Sequence, residues 1–200
     1  MVEAIANFGT GLGLAAGAGL NAYAVLLIYG EIARLFPEDF PGAIARLLSE
    51  PATLSVLLAL YVLEFFADKI PGLDHVWDIV HTVVRPAAGA LLAVAAVAPG
   101  AETSMTVLAG GGGGVIALAA HVVKGTVRLT STALTAGVAN FALSLAEDIL
   151  AALQAIVSIF LPLVALVLAV AVGGLFLLCV PKLAKGVNLF TSRRRPRAVP

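Results

Sequence analysis

"EFFADKIPGLDHVWDIVHTVVRP", residues 64–86, sets Glu64, Asp68, Lys69, Asp74, His75, Asp78, His81 and Arg85 between two stretches that are otherwise apolar. At 100° per residue, Asp74, Asp78, His81 and Arg85 share an arc of about 60° on one helix face. Glu64 and Asp68 stand one turn apart on the preceding segment. "KIPG" breaks the helix between the two groups, because Pro71 and Gly72 deny it a continuation. The pattern predicts two helices folded toward each other, gathering carboxylates and imidazoles around a small volume.

The flanking composition says what surrounds that volume. The 200 residues are 60% hydrophobic and only 12% charged, against roughly 25% charged in a soluble domain, and the mean hydropathy is +1.04. This is the composition of an integral membrane protein. Aromatic residues make up 6% while Ala, Leu, Val and Gly dominate, which suits close-packed helices better than the aromatic-girdled strands of a barrel. The expected fold class is therefore all-α. Glu3 stands where a secretory signal carries Lys or Arg, so the first helix is expected to remain in the mature chain. Cys179 is the only cysteine, which excludes an internal disulfide. The tail "RRRPRAVP" has no aromatic interleaving and reads as a cytoplasmic anchor, not a nucleic-acid grip.

A span needs about 20 apolar residues, and breaks at Pro, Gly and charge predict six, some short or broken. The first covers 8–36. A loop with a short surface helix, "GAIARLLSE", leads to a second at 52–68. Residues 73–85 feed a third, with Pro86 placed where a new helix starts. A fourth covers 105–132, and the apolar run 136–180 divides into two near Pro162. The result is one membrane domain, 1–186, with a basic tail at 187–200. Six spans put both termini on one side, and the Lys/Arg bias makes it the cytoplasmic side of an inner membrane. Glycine-led stretches from Gly11 and Gly111, with Asn21 and His121 at the same depth, suggest two inverted three-helix halves, 8–99 and 105–181.

Glu64 lies deep in "LYVLEFFAD", where an ionised carboxylate costs about 2.5 to 3.5 kcal/mol even on lenient insertion scales. It needs a partner, and His121, Lys124 and Arg128 share one face of the fourth span. Glu64, Asp68, Asp74, Asp78 and His81 also form a donor set suited to a divalent metal ion. The plainer reading pairs Asp78 with Arg85 on a wetted interfacial helix. Glu147 and Asp148 are adjacent, so on a regular helix they project 100° apart and do not face one small site; either the helix breaks there or one of the two faces water. Gly9, Gly13 and Gly17 form a small-residue stripe for helix approach. Gly110–Gly114 lacks the Lys and Ser/Thr of a phosphate loop; opening a helix inside the membrane, its amides would suit an anion. No spacing satisfies a Ser/His/Asp or Cys/His nucleophile.

The segments "GLNAYAVLL", "EFFADKIPGLDHVWDIVHTVVRPAAGALL" and "AAHVVKGTVRLTST" together resemble the prokaryotic membrane family known as domain of unknown function 4126, over about residues 5 to 185. The resemblance implies that Glu64, Asp68, Lys69, Asp74, Asp78, His81, Arg85, His121, Lys124 and Arg128 occupy the family's polar motif positions. It implies no activity.

Three functions fit these readings. The first is a small-ion transporter or channel, for a divalent cation above all. Glu64, Asp68, Asp74, Asp78 and His81 bind the ion, and His121, Lys124 and Arg128 supply balancing charge or a proton-coupled counterweight. The second is a metal-dependent enzyme, or a carrier, acting on a phosphorylated lipid gripped by Arg85, Lys124 and Arg128. The third is a structural membrane subunit whose charges satisfy one another. Partners are the bilayer, the ion or lipid, and further copies of the chain in a homo-oligomer.

Overall fold

A computed structural model describes the backbone of residues 2–193 apart from 71–72, 98–99 and 137, and side chains over the same range apart from 74–75 and 179–193. Among these residues the chain forms eight helices and no strand. They are α1 (Val2–Ala18), α2 (Ala22–Leu35), α3 (Ala43–Ser49), α4 (Pro51–Ala67), α5 (Leu73–Ala95), α6 (Thr103–Thr135), α7 (Asn140–Phe160) and α8 (Pro162–Arg193). The side chains of Asp74 and Cys179 lie outside the described residues, as does the end of the basic tail; residues 187–193 continue α8 as helix.

The expected first span, 8–36, is two helices instead of one. Gly19 and Asn21 donate their amides back to Ala15 and Gly17, and Asn21, at φ −147°, accepts the Ala24 amide on its side chain and so caps α2. An Asn at that position starts a helix as readily as it interrupts one. The chain then reverses. Residues near both outer ends of the pair, Asn7 on α1 and Phe36 beyond α2, line one cavity, so α1 and α2 form a hairpin with its tip at 19–21. A backbone this close needs glycine: a Cβ on Gly19 would strike the Ala117 carbonyl and the Ala120 side chain of α6.

The other helices run between the same two ends. Gly11 meets Ala93 and Gly89 meets Ala15, so α5 is antiparallel to α1. α6 returns beside α5 with Gly113 against Gly89 and Ala93. Gly110–Gly114 thus lies inside a continuous helix, where it permits close packing and opens no anion site. Ser158 packs on Gly13, and Pro162 and Ala165 of α8 pack on Gly9 and Gly13. The stripe Gly9, Gly13, Gly17 therefore holds α1 against α7 and α8, as its spacing predicts. α8 starts beside Gly9, midway along α1, and farther along it Gly173 meets Ile116 of α6.

Among the described residues three stretches are long and apolar enough to cross a membrane: Val76–Ala95, Thr103–Thr135 and Asn140–Phe160. The bent pair α3 and α4, meeting at 68°, makes up to four, and Pro162–Leu178 is a shorter apolar helix. Pro86, expected to begin a helix, lies within α5; the preceding turn carries His81 and Arg85, both fully buried against neighbouring helices that hold the chain in line. The paired glycine-led stretches also part company. Asn21 ends one helix and begins another, whereas His121 sits within α6.

Candidate functional site

At the hairpin tip, side chains from α4, α5, α6 and α7 form a charge network in three neighbouring clusters, almost wholly removed from solvent. Glu64 and Arg85 are 0% exposed, and Arg85 Nη2 donates to Glu64 Oε1 at 2.9 Å. The expectation that Glu64 pairs with α6 is corrected here: its cation comes from α5, because Glu64 and Arg85 both face inward from neighbouring helices. Asp78 joins the same guanidinium at 3.5 Å. The anticipated Asp78 and Arg85 pair is thus present, but as part of a triad with Glu64.

Asp68, one turn beyond Glu64, takes the α6 cations. Lys124 Nζ reaches Asp68 Oδ2 at 3.0 Å and Arg128 Nη2 reaches the same oxygen at 2.8 Å. Arg128 also grips both oxygens of Glu147 through Nε at 3.2 and 3.0 Å, and Lys124 lies 3.3 Å from Glu147. Asp148 points elsewhere, to Lys69 at 3.2 Å and to the Asn21 amide at 2.9 Å. The 100° between adjacent helical positions thus sends Glu147 and Asp148 to different cations, and both are buried. Lys69 further donates to Ser144 at 3.2 Å and sits 3.3 Å from the centre of the Phe65 ring. Asn21, Lys69, Glu147 and Asp148, noticeable as polar positions in the sequence but outside its expected binding set, complete the network. Their signal was an acidic pair inside a run of apolar residues and a lysine next to a motif acid.

The two histidines are held in opposite hydrogen-bonding states. Arg85 Nη1 lies 2.6 Å from His121 Nδ1. A guanidinium only donates, so Nδ1 accepts and the proton of the neutral ring sits on Nε2, which faces Thr82 Oγ1 at 3.2 Å. Thr82 in turn donates to the Asp78 carbonyl at 3.0 Å. His81 is reversed. Its Nδ1 lies 2.9 Å from the Trp77 carbonyl, a pure acceptor, so Nδ1 carries the proton. The lone pair of Nε2 then faces Glu64 Oε1 at 3.4 Å, acceptor to acceptor; a second proton on that ring makes the contact attractive.

Two properties follow. Among the described side chains, Glu64, Asp68, Asp78, Glu147 and Asp148 stand against Lys69, Arg85, Lys124 and Arg128, which leaves one negative charge when both histidines are neutral. Hydrogen bonding is incomplete as well: among the described residues Glu64 Oε2, Asp68 Oδ1, His81 Nε2, Arg85 Nε and Arg128 Nη1 are buried without a partner. Such atoms are costly inside a protein.

As a metal centre the arrangement fits poorly in this conformation. Among the described residues no group of three or more His, Cys, Asp or Glu side chains lies close enough to hold a metal ion. Glu64 and Asp78 are brought onto one cation, Arg85, whereas Asp68 meets Lys124 and Arg128, and the position of the Asp74 carboxylate is outside the described residues. Asp78, 23% exposed, is the most accessible carboxylate of the network.

No curated protein and no solved structure matches the chain. A family model does match, over residues 8–182, and by that match the chain belongs to the family described as domain of unknown function 4126.

Proposed function

We propose that this protein is a small-ion membrane transporter and that the ion it handles is a small cation bound at Glu64, Asp78 and His81. The observation that carries this reading is the excess of one carboxylate among the described residues: two carboxylates share Arg85, while Glu64 Oε2 and His81 Nε2 have no partner among those residues. A buried negative charge without a counterion costs several kcal/mol, and one positive charge placed between these atoms removes that cost. A proton on His81 or a monovalent cation supplies it directly. A divalent cation needs a carboxylate released from Arg85, which the neighbouring His121 can hold while Glu64 or Asp78 turns away.

The hairpin tip supports a carrier. A helix interrupted beside buried charge is the way transporters expose backbone carbonyls to ions at membrane depth, and here the Leu20 carbonyl accepts from Lys124 at 3.0 Å. In this reading the protein lies in a prokaryotic inner membrane. The Lys/Arg-bearing end of the bundle faces the cytoplasm, and the bent and shorter helices complete the crossings beyond the long ones.

Cation binding to the purified protein tests the proposal. Isothermal titration with sodium, potassium, manganese and zinc, and proton release measured alongside, should give a one-site response that weakens at least tenfold in Asp78→Asn. Asp78 is partly exposed, so that variant keeps its fold. Identical binding in the two proteins, or none in either, overturns the reading.

A further inference from the structure

At the opposite end of the bundle from the charge network lies a cavity of about 520 Å³, walled by α1, α2, α5 and α7. That volume falls in the range of sites for small organic molecules. Its lining is chemically divided. Glu3 and Asp39 contribute carboxylates, Asn7 and Thr10 add polar groups, and Ile32, Val97 and Ile159 make an apolar wall. Tyr29, 1% exposed, and Phe40 stack edge to face within it, their centroids 5.4 Å apart and their planes at 85°.

Three observations select the ligand. Neither Glu3 nor Asp39 has an ion-pair partner among the described residues, so an anionic guest would meet uncompensated negative charge. Among the described residues the buried Tyr29 hydroxyl has one hydrogen bond, to the Ala95 carbonyl at a long 3.5 Å, which leaves its oxygen free to accept from an N–H donor. Aromatic faces beside carboxylates favour cations, by the ring quadrupole as well as by charge. The volume is too large for an inorganic ion and its apolar wall would be wasted on one.

We propose that this cavity binds an ammonium group carried on an apolar body. The nitrogen lies near Glu3, Asp39 and the Tyr29 hydroxyl, and the body against Ile32 and Ile159. The same chemistry is offered by a free amphipathic amine and by the ethanolamine headgroup of a lipid, whose chains would leave through the side of the bundle. The site is separate from the charge network and does not depend on the transport reading.

The test uses full-length protein in micelles of a non-ionic detergent and two probes of similar size, benzylammonium, a primary amine protonated at neutral pH, and phenylacetate. Calorimetric titration should detect the ammonium and not the carboxylate, and the double variant with Glu3→Gln and Asp39→Asn should weaken ammonium binding tenfold or more. Both acids are exposed, so the variant keeps its fold, checked by an unchanged melting profile. Tyr29→Phe provides an independent test, with a smaller loss for a primary amine than the double variant shows. Nanodiscs containing phosphatidylethanolamine separate the sources: a weakened response to the probe there, relative to phosphatidylglycerol alone, assigns the site to a lipid headgroup, and an unchanged response assigns it to a free amine. Equal binding of the two probes, or ammonium binding untouched by the double variant, overturns the proposal.

Discussion

Lys124 donates to the backbone carbonyl of Leu20 at 3.0 Å, and through that bond α6 holds the tip of the hairpin between α1 and α2. The same ammonium pairs with Asp68 and Glu147, so one side chain connects the interrupted helix to α4 and α7. Lys124→Met leaves Asp68 and Glu147 sharing Arg128 alone. Removal of one partner from a buried charge pair costs about 3–5 kcal/mol, and a denaturant titration in detergent should show a loss of that order. Replacing Asp68 by Leu in the same chain should restore part of it, because the carboxylate left without Lys124 is then gone.

Asn21 has two duties, capping α2 through Ala24 and donating to Asp148. Asn21→Ala should destabilise by about 1 kcal/mol for the cap alone and by more for the buried carboxylate that loses a donor. Hydrogen exchange should rise first at the amides of Ala22 to Val25.

Packing between α5 and α6 depends on bare backbone. A Cβ on Gly113 would lie 2.5 Å from Ala93 Cβ and from the Gly89 carbonyl oxygen, whereas one on Gly125 would meet nothing within 4 Å. Gly113→Leu should cost about 1–3 kcal/mol or more by overpacking. Gly125→Ala, on the same helix, should be neutral or stabilising, since Ala is the better helix former. Melting temperatures of the two variants check both signs.

The tautomers of the histidines are fixed by partners that can only donate or only accept. At neutral pH, nitrogen-15 spectra should show His121 unprotonated at Nδ1 and protonated at Nε2, with His81 protonated at Nδ1. Arg85→Lys removes the planar donor that holds His121 and should mix its tautomers.

The depth of Glu64 was legible from sequence, because a carboxylate inside an apolar run has few tolerable environments; the identity of its partner was not. Arg85 and the α6 cations were equally reachable from one residue, and the choice depended on where the "KIPG" turn aimed α5. Glu147 and Asp148 were legible as acids facing different directions, but the cations they meet come from distant segments and only the packed bundle decides them. The hairpin at 19–21 escaped because an Ala/Gly/Leu run without proline has no strong stop. Its one local signal was Asn21 ahead of an apolar helix. Pro86 misled in the other direction: a proline inside a packed membrane helix is tolerated where neighbouring helices hold it. The run Gly110–Gly114 gave the right element and the wrong use, since spacing alone does not distinguish an amide nest from a contact face.

Ion flux across sealed vesicles tests the central claim most directly. Reconstituted protein should carry a small cation, read as collapse of an imposed proton, sodium, potassium or manganese gradient, faster than protein-free vesicles do. Asp78→Asn and Glu64→Gln should each slow that flux at least tenfold while the protein still elutes as the same species. Gradients that decay at the protein-free rate for every ion, or flux that both substitutions leave unchanged, would contradict the account.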